Sequence, residues 1–328
     1  MLANFRIAKF IIVIRPKEYL SLPKYKGSTF RGGFGHAFRR ISCAIKSKTC
    51  NECLLKEKCV YSYVFETFSP NDSETKKRYP NIPHPFIIEP PENEKLHYKE
   101  GEILKFGLVL IGKAIDYLPY FIYAFNELGN IGIGRAKGKY YLETVLGLDN
   151  ENYTEIYNNK DKILDNSFKV IDHKTIEEEC KRYKNIKSIS LDFLTPLRIK
   201  HDNRLTNRLE FNVLITALMR RISLLSYFHC EQKLDVDIKE IIECAREIKV
   251  KESTLNWYDW ERYSNRQDTR MKLGGLVGNI TFEGEIATFF PYLVLGEYIH
   301  IGKNCSFGLG RYELNTPSGN KKDMSSLK

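Results

Sequence analysis

The sequence lacks several patterns that would place it in a well-known class of protein. No apolar run reaches the ~18 residues that a bilayer-crossing helix needs, and the apolar stretch at residues 10–14 is too short for a signal peptide. Neither Gly-x-Ser-x-Gly nor His-Glu-x-x-His occurs, which argues against the hydrolases and zinc proteases that use them. We therefore predict a cytoplasmic protein with no membrane association and with reduced cysteines.

The sequence also lacks an excess of acidic residues. It has 328 residues with 51 Lys and Arg against 41 Asp and Glu, so the formal net charge is +10 and the pI is near 9.0. Aromatic residues are plentiful, with 20 Tyr and 19 Phe. Lysine and arginine side chains bind phosphates, and aromatic side chains stack on bases. This composition therefore favours RNA as the partner. A basic surface that serves only solubility is the alternative.

Two glycine-rich loops repeat one local pattern. Residues 129–139 and 296–311 each contain Gly-x-Gly-Arg, and each follows an apolar run with a Pro-Tyr pair. Such clusters are turns more often than ligand sites, and the spacing is not that of a P-loop or a dinucleotide fingerprint. Both loops can nevertheless bring backbone N–H groups and cations to an anion. The cations are Arg135, Lys137, Lys303 and Arg311.

This repetition predicts an internal duplication and an α+β fold of tandem ferredoxin-like domains. The N-terminal domain is predicted at residues 1–184 with a cysteine-bearing insertion, the C-terminal domain at 185–318, and a polar tail at 319–328. The predicted strands are 5–14, 103–111, 140–145, 186–194, 255–263 and 271–282. The predicted helices begin near residue 31 and span 116–128, 207–228 and 289–298.

The first predicted helix carries the histidine best placed for chemistry. Its apolar face, at helical spacing, comprises Phe34, Ala37, Phe38, Ile41 and Ile45. Its opposite face comprises His36, Arg39, Arg40 and Cys43. Imidazole can act as base or acid near neutral pH, so His36 is a candidate for proton transfer, and a surface or capping role is the alternative. His300 and His84 are rival candidates for which structural roles are favoured.

Four cysteines fall within seventeen residues, at Cys43, Cys50, Cys53 and Cys59. Four thiolates at such spacing suit a closed structural zinc site or an iron–sulfur cluster. The alternative is four unrelated reduced thiols. Cys180, Cys230, Cys244 and Cys305 have no such spacing, and we interpret them as small buried hydrophobes.

A further basic segment lies in the C-terminal half. It contains Arg262, Arg266, Gln267 and Arg270. This segment is either a track for RNA phosphates or a solvated strand edge. Arg31, Arg39 and Arg40 of the first helix form the corresponding candidates in the N-terminal half.

These motifs together resemble one known family. The similar segments are residues 30–40, the cysteine knuckle through Tyr61, and residues 64–66, 83–86, 262–267, 274–278 and 302–310. They look like the cysteine-containing branch of the CRISPR repeat-processing endoribonucleases, within the RAMP superfamily. The likeness runs from about residue 5 to 315, and the combination is specific although no single motif is.

The resemblance implies an activity as well as a fold. It implies cleavage of precursor CRISPR RNA within each repeat without a catalytic metal, by a histidine of the first helix with a nearby tyrosine and lysine. His36 matches that histidine by position, and Tyr25 and Lys46 are the looser matches. A non-catalytic RNA-binding subunit of a CRISPR effector complex is the alternative, with other effector subunits as partners. An iron–sulfur redox protein is the weaker third hypothesis.

Overall fold

A computed structural model describes residues 2–46, 49–67, 81–91, 93–149, 152–183, 186–201, 204–264 and 269–315. The chain forms two compact units. The N-terminal unit consists of Arg6–Val170 and Phe228–Glu231. The C-terminal unit consists of Met1–Phe5, Ile171–Tyr227 and Gln232–Lys328.

In its described residues, the N-terminal unit has a five-stranded antiparallel sheet, a separate two-stranded sheet and two helices. Its strands are β1 (Ile7–Pro16), β2 (Leu20–Ser21), β3 (Phe86–Glu89), β4 (His97–Tyr98), β5 (Leu104–Ile111), β6 (Tyr140–Asp149) and β7 (Asn152–Asn158). Its helices are α1 (Gly27–Ser42) and α2 (Leu118–Ile131), with a π-helical turn at Ser62–Glu66 and a 3-10 turn at Gly112–Tyr117. The sheet order is β3-β5-β1-β6-β7. The first four strands have the ferredoxin-like order, and β7 extends one edge.

Alternation along β1 explains how this sheet holds its helices. Side chains of a strand point to opposite faces in turn, and every second residue of β1 joins the aromatic core formed with α1 and α2. In that core, Phe34 of α1 stacks on Phe125 of α2 with ring centroids 4.5 Å apart. Phe30 of α1 stacks on Phe106 of β5 at 4.4 Å. The packing fixes α1 on the sheet and decides which side of it faces solvent.

The C-terminal unit repeats the same plan. Its strands are β8 (Ser188–Leu197), β9 (Lys200–His201), β10 (Arg204–Leu205), β11 (Lys249–Ser253), β12 (Asn256–Tyr258), β13 (Glu261–Ser264), β14 (Thr269–Lys272), β15 (Gly275–Glu283) and β16 (Tyr312–Asn315). Its helices are α3 (His173–Cys180), α4 (Phe211–His229), α5 (Ile238–Ala245) and α6 (Phe290–Ile299), with 3-10 turns at Lys181–Tyr183, Ala287–Phe289 and Cys305–Phe307. The sheet order β11-β15-β8-β16 again has the ferredoxin-like order.

The predicted α+β fold with two ferredoxin-like sheets is therefore confirmed. The four-cysteine knuckle stays a prediction, and several local boundaries differ. Helix α1 begins at Gly27 and ends at Ser42, so the predicted apolar face stops at Ile41 and Ile45 is 49% exposed. The prediction that residues 255–263 and 271–282 are two continuous strands is wrong. β12 pairs with β15, whereas β13 and β14 form a separate hairpin.

The division between the units also differs from the sequence-based boundary. It falls between Val170 and Ile171, before the predicted position at residue 184. Helix α3 explains this, because Tyr298 of α6 donates a hydrogen bond to Glu179 of α3. Helix α4 is long and apolar enough to cross a membrane by length and composition, yet most of its apolar window is buried within the protein, as in the core helix of a folded domain.

Candidate functional site

The outer face of α1 presents His36 to solvent. Gly32, His36 and Arg40 recur at four-residue spacing, so they lie above one another on one helix face, and all three are exposed. Among the residues that the structure describes, no hydrogen bond reaches the imidazole of His36. Arg40 is held by Glu127 of α2, with Nε 2.9 Å from Oε1. The predicted placement of His36 and Arg40 on the polar face is therefore observed.

The glycines of α1 differ in what surrounds them. A Cβ built at Gly33 would lie 2.8 Å from Leu128 Cδ1, and one at Gly35 would lie 3.1 Å from the Phe65 ring. Those two glycines let neighbouring groups approach the helix. A Cβ at Gly32 would have nothing within 4 Å. Packing of the described residues thus gives no reason for Gly32, and the backbone one turn before His36 is open.

Arg31 and Arg39 lie on aromatic rings. The Arg31 guanidinium carbon is 5.0 Å from the Phe65 ring centroid, and that of Arg39 is 5.7 Å from the Tyr61 centroid. Arg31 Nη2 also lies 3.1 Å from Nε2 of His84. Cation–π contacts orient such guanidinium groups. Both arginines are half-buried at the helix side, so they are held in place before any ligand binds.

The two proposed helpers of His36 lie beyond opposite ends of α1. Tyr25 precedes the helix, and about 13 Å of helix axis separates Gly27 from His36 at the usual rise per residue. Lys46 lies beyond the helix end at Ser42, is exposed, and has a backbone φ of 52°. Neither shares a hydrogen bond with His36 in the described part of the chain. Their catalytic roles stay predictions.

The four clustered cysteines follow the last turn of α1 along the chain. Cys43 is the C-cap residue and its N–H donates to Arg39 O. All four are half-buried and free of disulfides. Burial raises the pKa of Cys50, and the nearby Glu66 and the thiolates of Cys43 and Cys59 add to this. Within the described ranges, no group of three or more His, Cys, Asp or Glu side chains is placed to hold a metal.

In the first glycine loop, the glycines serve the backbone itself. Gly132 and Gly134 have φ values of 91° and 79°, which favour glycine. A Cβ at Gly132 would overlap the carbonyl of Lys137, and one at Gly134 would lie 2.5 Å from Ser21 O. The turn is therefore a structural requirement. It leaves Arg135 and Lys137 exposed, so both are accessible to a ligand.

The second glycine loop lies against the end of β8. The N–H of Lys303 donates to Arg198 O at 2.8 Å, and Thr195 Oγ1 donates to Gly308 O at 2.8 Å. Gly302 has a φ of 90°, and a Cβ there would lie 2.5 Å from Arg198 O. These bonds hold the loop close to the chain that follows β8.

Four cations meet beside this loop, and we name them the basic cluster. They are Arg198, Lys200, Arg220 and Lys303. Partial burial lowers the pKa of Lys303, and the other three cations lower it further, which places each of the three within electrostatic reach of Lys303. Burial also lowers the pKa of Arg198, opposed by Asp259. A cluster of cations on one surface is the chemistry that binds phosphates.

Only Lys303 of the basic cluster was among the sequence candidates. The sequence placed Arg220 on the polar side of α4, where it is available to a ligand. Its spacing in the sequence did not connect it to the loop. Arg198 and Lys200 follow β8 by only a few residues and reach Lys303 through the bridge between Arg198 and Gly302. That pairing joins parts of the chain that are far apart in sequence.

Two other residues of this region are buried. The side chain of Arg311 is buried, with Nη2 3.9 Å from Glu313 Oε1, so it is not presented to solvent as Lys303 is. His300 is fully buried, has a φ of 58°, and its Nδ1 donates to Leu309 O at 3.2 Å. The favoured structural role of His300 agrees with this position.

A buried cation, Arg221, also lies at the base of the second glycine loop. Its Nε donates to Ile299 O at 2.9 Å, at the last residue of α6. Its Nη2 has no hydrogen-bond partner among the described residues. Burial lowers the pKa of Arg221, and the neighbouring Cys305 opposes this slightly. A buried positive charge therefore lies against the end of α6, next to the glycine residues of the loop.

The remaining basic segment is only partly described. Arg262 and Arg270 lie on the hairpin of β13 and β14, where Tyr263 pairs with Arg270. Arg266 and Gln267 lie outside the described residues, as do the side chains of Arg262 and Arg270. Their contact with RNA stays a prediction.

Two family models match the chain. Residues 5–169 match AF_1859_N, described as an N-terminal domain, and residues 191–312 match CRISPR-associated endoribonuclease Cas6. The first match covers half of the chain. An uncharacterized protein of Archaeoglobus fulgidus is 25% identical over 297 residues, which is 90% of this chain and 93% of that protein.

Solved structures share the fold. Thermus thermophilus Cas6 superposes with a TM-score of 0.54 at 12% identity, over 95% of this chain and 99% of that one. A chain of a partial Cas6-RT-Cas1–Cas2 complex superposes with a TM-score of 0.56 at 15% identity, over 96% of this chain and 47% of that one. This chain therefore spans about half the length of that polypeptide.

Proposed function

This chain belongs to the CRISPR-associated endoribonuclease Cas6 family, with an N-terminal half of the AF_1859_N type, and from that premise we propose that it cleaves CRISPR repeat RNA within each repeat. CRISPR-associated RNA processing is the general activity of the family. The finer proposal is a cut that needs no catalytic metal. RNA carries its own nucleophile, the 2′-hydroxyl beside each phosphate, so the protein must position groups and move protons.

The reaction requires three things of the site. The 2′-oxygen must lie in line with the leaving 5′-oxygen, protons must move, and the added negative charge must be stabilised. The imidazole of His36 is suited to move the proton of the 2′-hydroxyl or to protonate the 5′-oxygen. Arginine side chains donate to phosphate oxygens, and Arg31, Arg39 and Arg40 occupy the same helix. The products are a 2′,3′-cyclic phosphate and a 5′-hydroxyl.

One observation carries the assignment to α1. His36 is exposed, and the backbone one turn before it is bare, because a Cβ at Gly32 would meet nothing within 4 Å. Glycine in a helix interior costs about 1 kcal/mol relative to alanine. A glycine that packing does not require is explained when a ligand must come close to the backbone. The RNA strand at His36 is such a ligand.

The basic cluster supplies the second part of the proposal. Arg198, Lys200, Arg220 and Lys303 form a surface of like charge, and the repulsion that lowers the pKa of Lys303 is relieved when a phosphate binds. The exposed Arg135 and Lys137 form a corresponding, smaller site on the N-terminal unit. RNA bound at such sites dissociates as salt rises, since binding releases counterions.

The test is cleavage of the repeat RNA of the source genome in the presence of a chelator. We expect His36→Ala to slow cleavage by roughly a hundredfold or more, as is usual when a general acid or base is lost, with little loss of binding. His97→Ala, an exposed histidine of β4, is the matched control and should cleave like the parent. A substrate with a 2′-deoxy residue at the cut should bind and stay whole. Equal rates for His36→Ala and parent would remove His36 from the mechanism.

A non-catalytic RNA-binding subunit is the second candidate function. It is favoured because no hydrogen bond joins His36 to Tyr25 or Lys46, the two helpers that the resemblance implies, among the described residues. In that case other CRISPR-associated subunits are the partners. Incubation with repeat RNA distinguishes the two functions. A non-catalytic subunit would bind the RNA in a filter-binding measurement but would produce no cyclic-phosphate end.

A structural zinc at the four cysteines is a further proposal, with an iron–sulfur cluster as the alternative. The donor set fits zinc by its chemistry, and Cys43 and Cys59 lie near enough to Cys50 to raise its pKa. The side chains as placed do not form a closed set of ligands. No step of the cleavage is assigned to this metal, whose role would be to hold the chain after α1.

A further inference from the structure

A pocket on the N-terminal unit is lined by none of the residues that the reaction above uses. Helix α2 forms one wall with Pro119, Ile122, Tyr123 and Asn126. The chain that ends β7 and turns back forms the other wall with Tyr157, Asn159, Lys162 and Leu164. The volume is about 650 Å³, within the usual range for small-molecule sites of about 300–1,000 Å³.

The second wall is held in shape by its own backbone. The N–H of Lys162 donates to Asn158 O at 2.8 Å, and the N–H of Asp165 donates to Ile156 O at 2.8 Å. Tyr157 and Leu164 form a β-bridge across the turn. Lys162 adopts a φ of 54° at the bend. The pocket is therefore formed before a ligand enters.

The lining combines three kinds of group. Tyr123 is 59% exposed, unusually open for so large a ring. The side-chain amides of Asn126 and Asn159 form no hydrogen bond with any described residue, so their donors and acceptors are available. Lys162 is exposed and forms no ion pair in the described part of the chain. None of the lining residues is acidic.

These groups suit a planar ring with polar edges that carries an anion. Aromatic side chains stack on bases, amides hydrogen-bond to base edges, and a lysine attracts phosphate. A partner protein is less well matched, because it would have to supply hydrogen-bond partners for two amides and a counter-charge for a lysine within one small pocket. We propose that this pocket binds one unpaired nucleotide, with the base on Tyr123 and the phosphate at Lys162.

The nucleotide can come from single-stranded RNA or from a free mononucleotide. The RNA source rests on the proposed function, since it would be an unpaired part of the substrate, whereas the mononucleotide source does not. AMP, CMP and a fluorescein-labelled single-stranded RNA without a repeat sequence are therefore the probes. The His36→Ala protein is used throughout the binding measurements, so that cleavage does not disturb them.

The decisive comparison is between two tyrosines of α2. Tyr123→Leu removes the ring from the pocket, and Tyr120→Leu removes an exposed ring of the same helix that does not line it. We expect Tyr123→Leu to weaken binding of the RNA by about tenfold or more, in line with the loss of one stacked base, and Tyr120→Leu to bind like the parent. Lys162→Gln should reduce the slope of log K for RNA binding against the logarithm of salt concentration by about one.

Thermal unfolding of each variant shows whether it folds, and the exposure of Tyr123 predicts an unchanged midpoint.

Weaker binding of AMP as well as RNA to Tyr123→Leu would assign the pocket to mononucleotides, and weaker binding of RNA alone would assign it to the substrate strand. Equal binding of all probes to parent, Tyr123→Leu and Lys162→Gln would overturn the proposal, even if repeat RNA is cleaved. If the parent cuts no repeat RNA but Tyr123→Leu still weakens binding, the proposed function is wrong and the pocket proposal stands.

Discussion

Replacement of Gly32 by alanine should make the protein more stable. Gly32 lies inside α1, and a Cβ there would contact nothing within 4 Å. The gain is then the difference in helix propensity, about 1 kcal/mol. For a unit the size of Arg6–Val170, that free energy raises the unfolding midpoint by about 2–4 °C. Scanning calorimetry and denaturant titration both measure it.

The neighbouring Gly33 is the control. Gly33→Ala gains the same propensity, but its Cβ would lie 2.8 Å from Leu128 Cδ1. Leu128 is buried, so it must shift, and overpacking of this kind costs about 1–3 kcal/mol. We expect Gly33→Ala to be as stable as the parent or less stable. Similar midpoints for the two variants would refute the view that packing distinguishes these glycines.

Cleavage should change in the opposite direction to stability. If the RNA strand lies against the bare backbone beside His36, a methyl group at residue 32 displaces it. Displacement of a substrate by about 1 Å can cost about a hundredfold in rate, so we expect Gly32→Ala to cleave at least about tenfold more slowly. A variant that is more stable and cuts repeat RNA at the parental rate would show that the open backbone is not part of the site.

Three further predictions follow from the same structure. The double variant Lys200→Gln/Lys303→Gln should reduce the slope of log K for repeat RNA against the logarithm of salt concentration by about two. An unchanged slope would show that the basic cluster does not bind the RNA. Gly310→Ala should destabilise the C-terminal unit by about 2–4 kcal/mol, because φ is 72°, a Cβ would overlap the carbonyl of Ile301, and the Ile301 N–H donates a hydrogen bond to Gly310 O that this overlap would disturb. Gly101→Ala, with a φ of 76° and open space, is its control and should cost only about 1 kcal/mol. Elemental analysis should find one zinc per chain in the parent and in Cys244→Ser but not in Cys53→Ser, and a parent with neither zinc nor iron would exclude the metal site.

Local pattern was enough to predict the elements that position His36. The spacing of Phe34, Ala37 and Phe38 indicated which side of α1 is buried, and those residues are fully buried against α2 and the sheet. Repetition of strand, helix and glycine loop was enough to predict two ferredoxin-like sheets. Both inferences depend on the spacing of residues along the chain. That spacing determines which residues share a face of a helix or strand in the folded protein.

Burial and long-range proximity needed the tertiary structure. Lys303 and Arg311 belong to one glycine loop and looked alike in sequence, yet Lys303 is exposed and Arg311 is buried beside Glu313. The basic cluster joins residues from the end of β8, from α4 and from the loop, and the pocket joins α2 to the chain after β7. Sequence spacing determined which residues share a helix or strand face in this protein. Only the packing of separate elements decided which charges meet, because electrostatic and van der Waals forces depend on distance in space rather than along the chain.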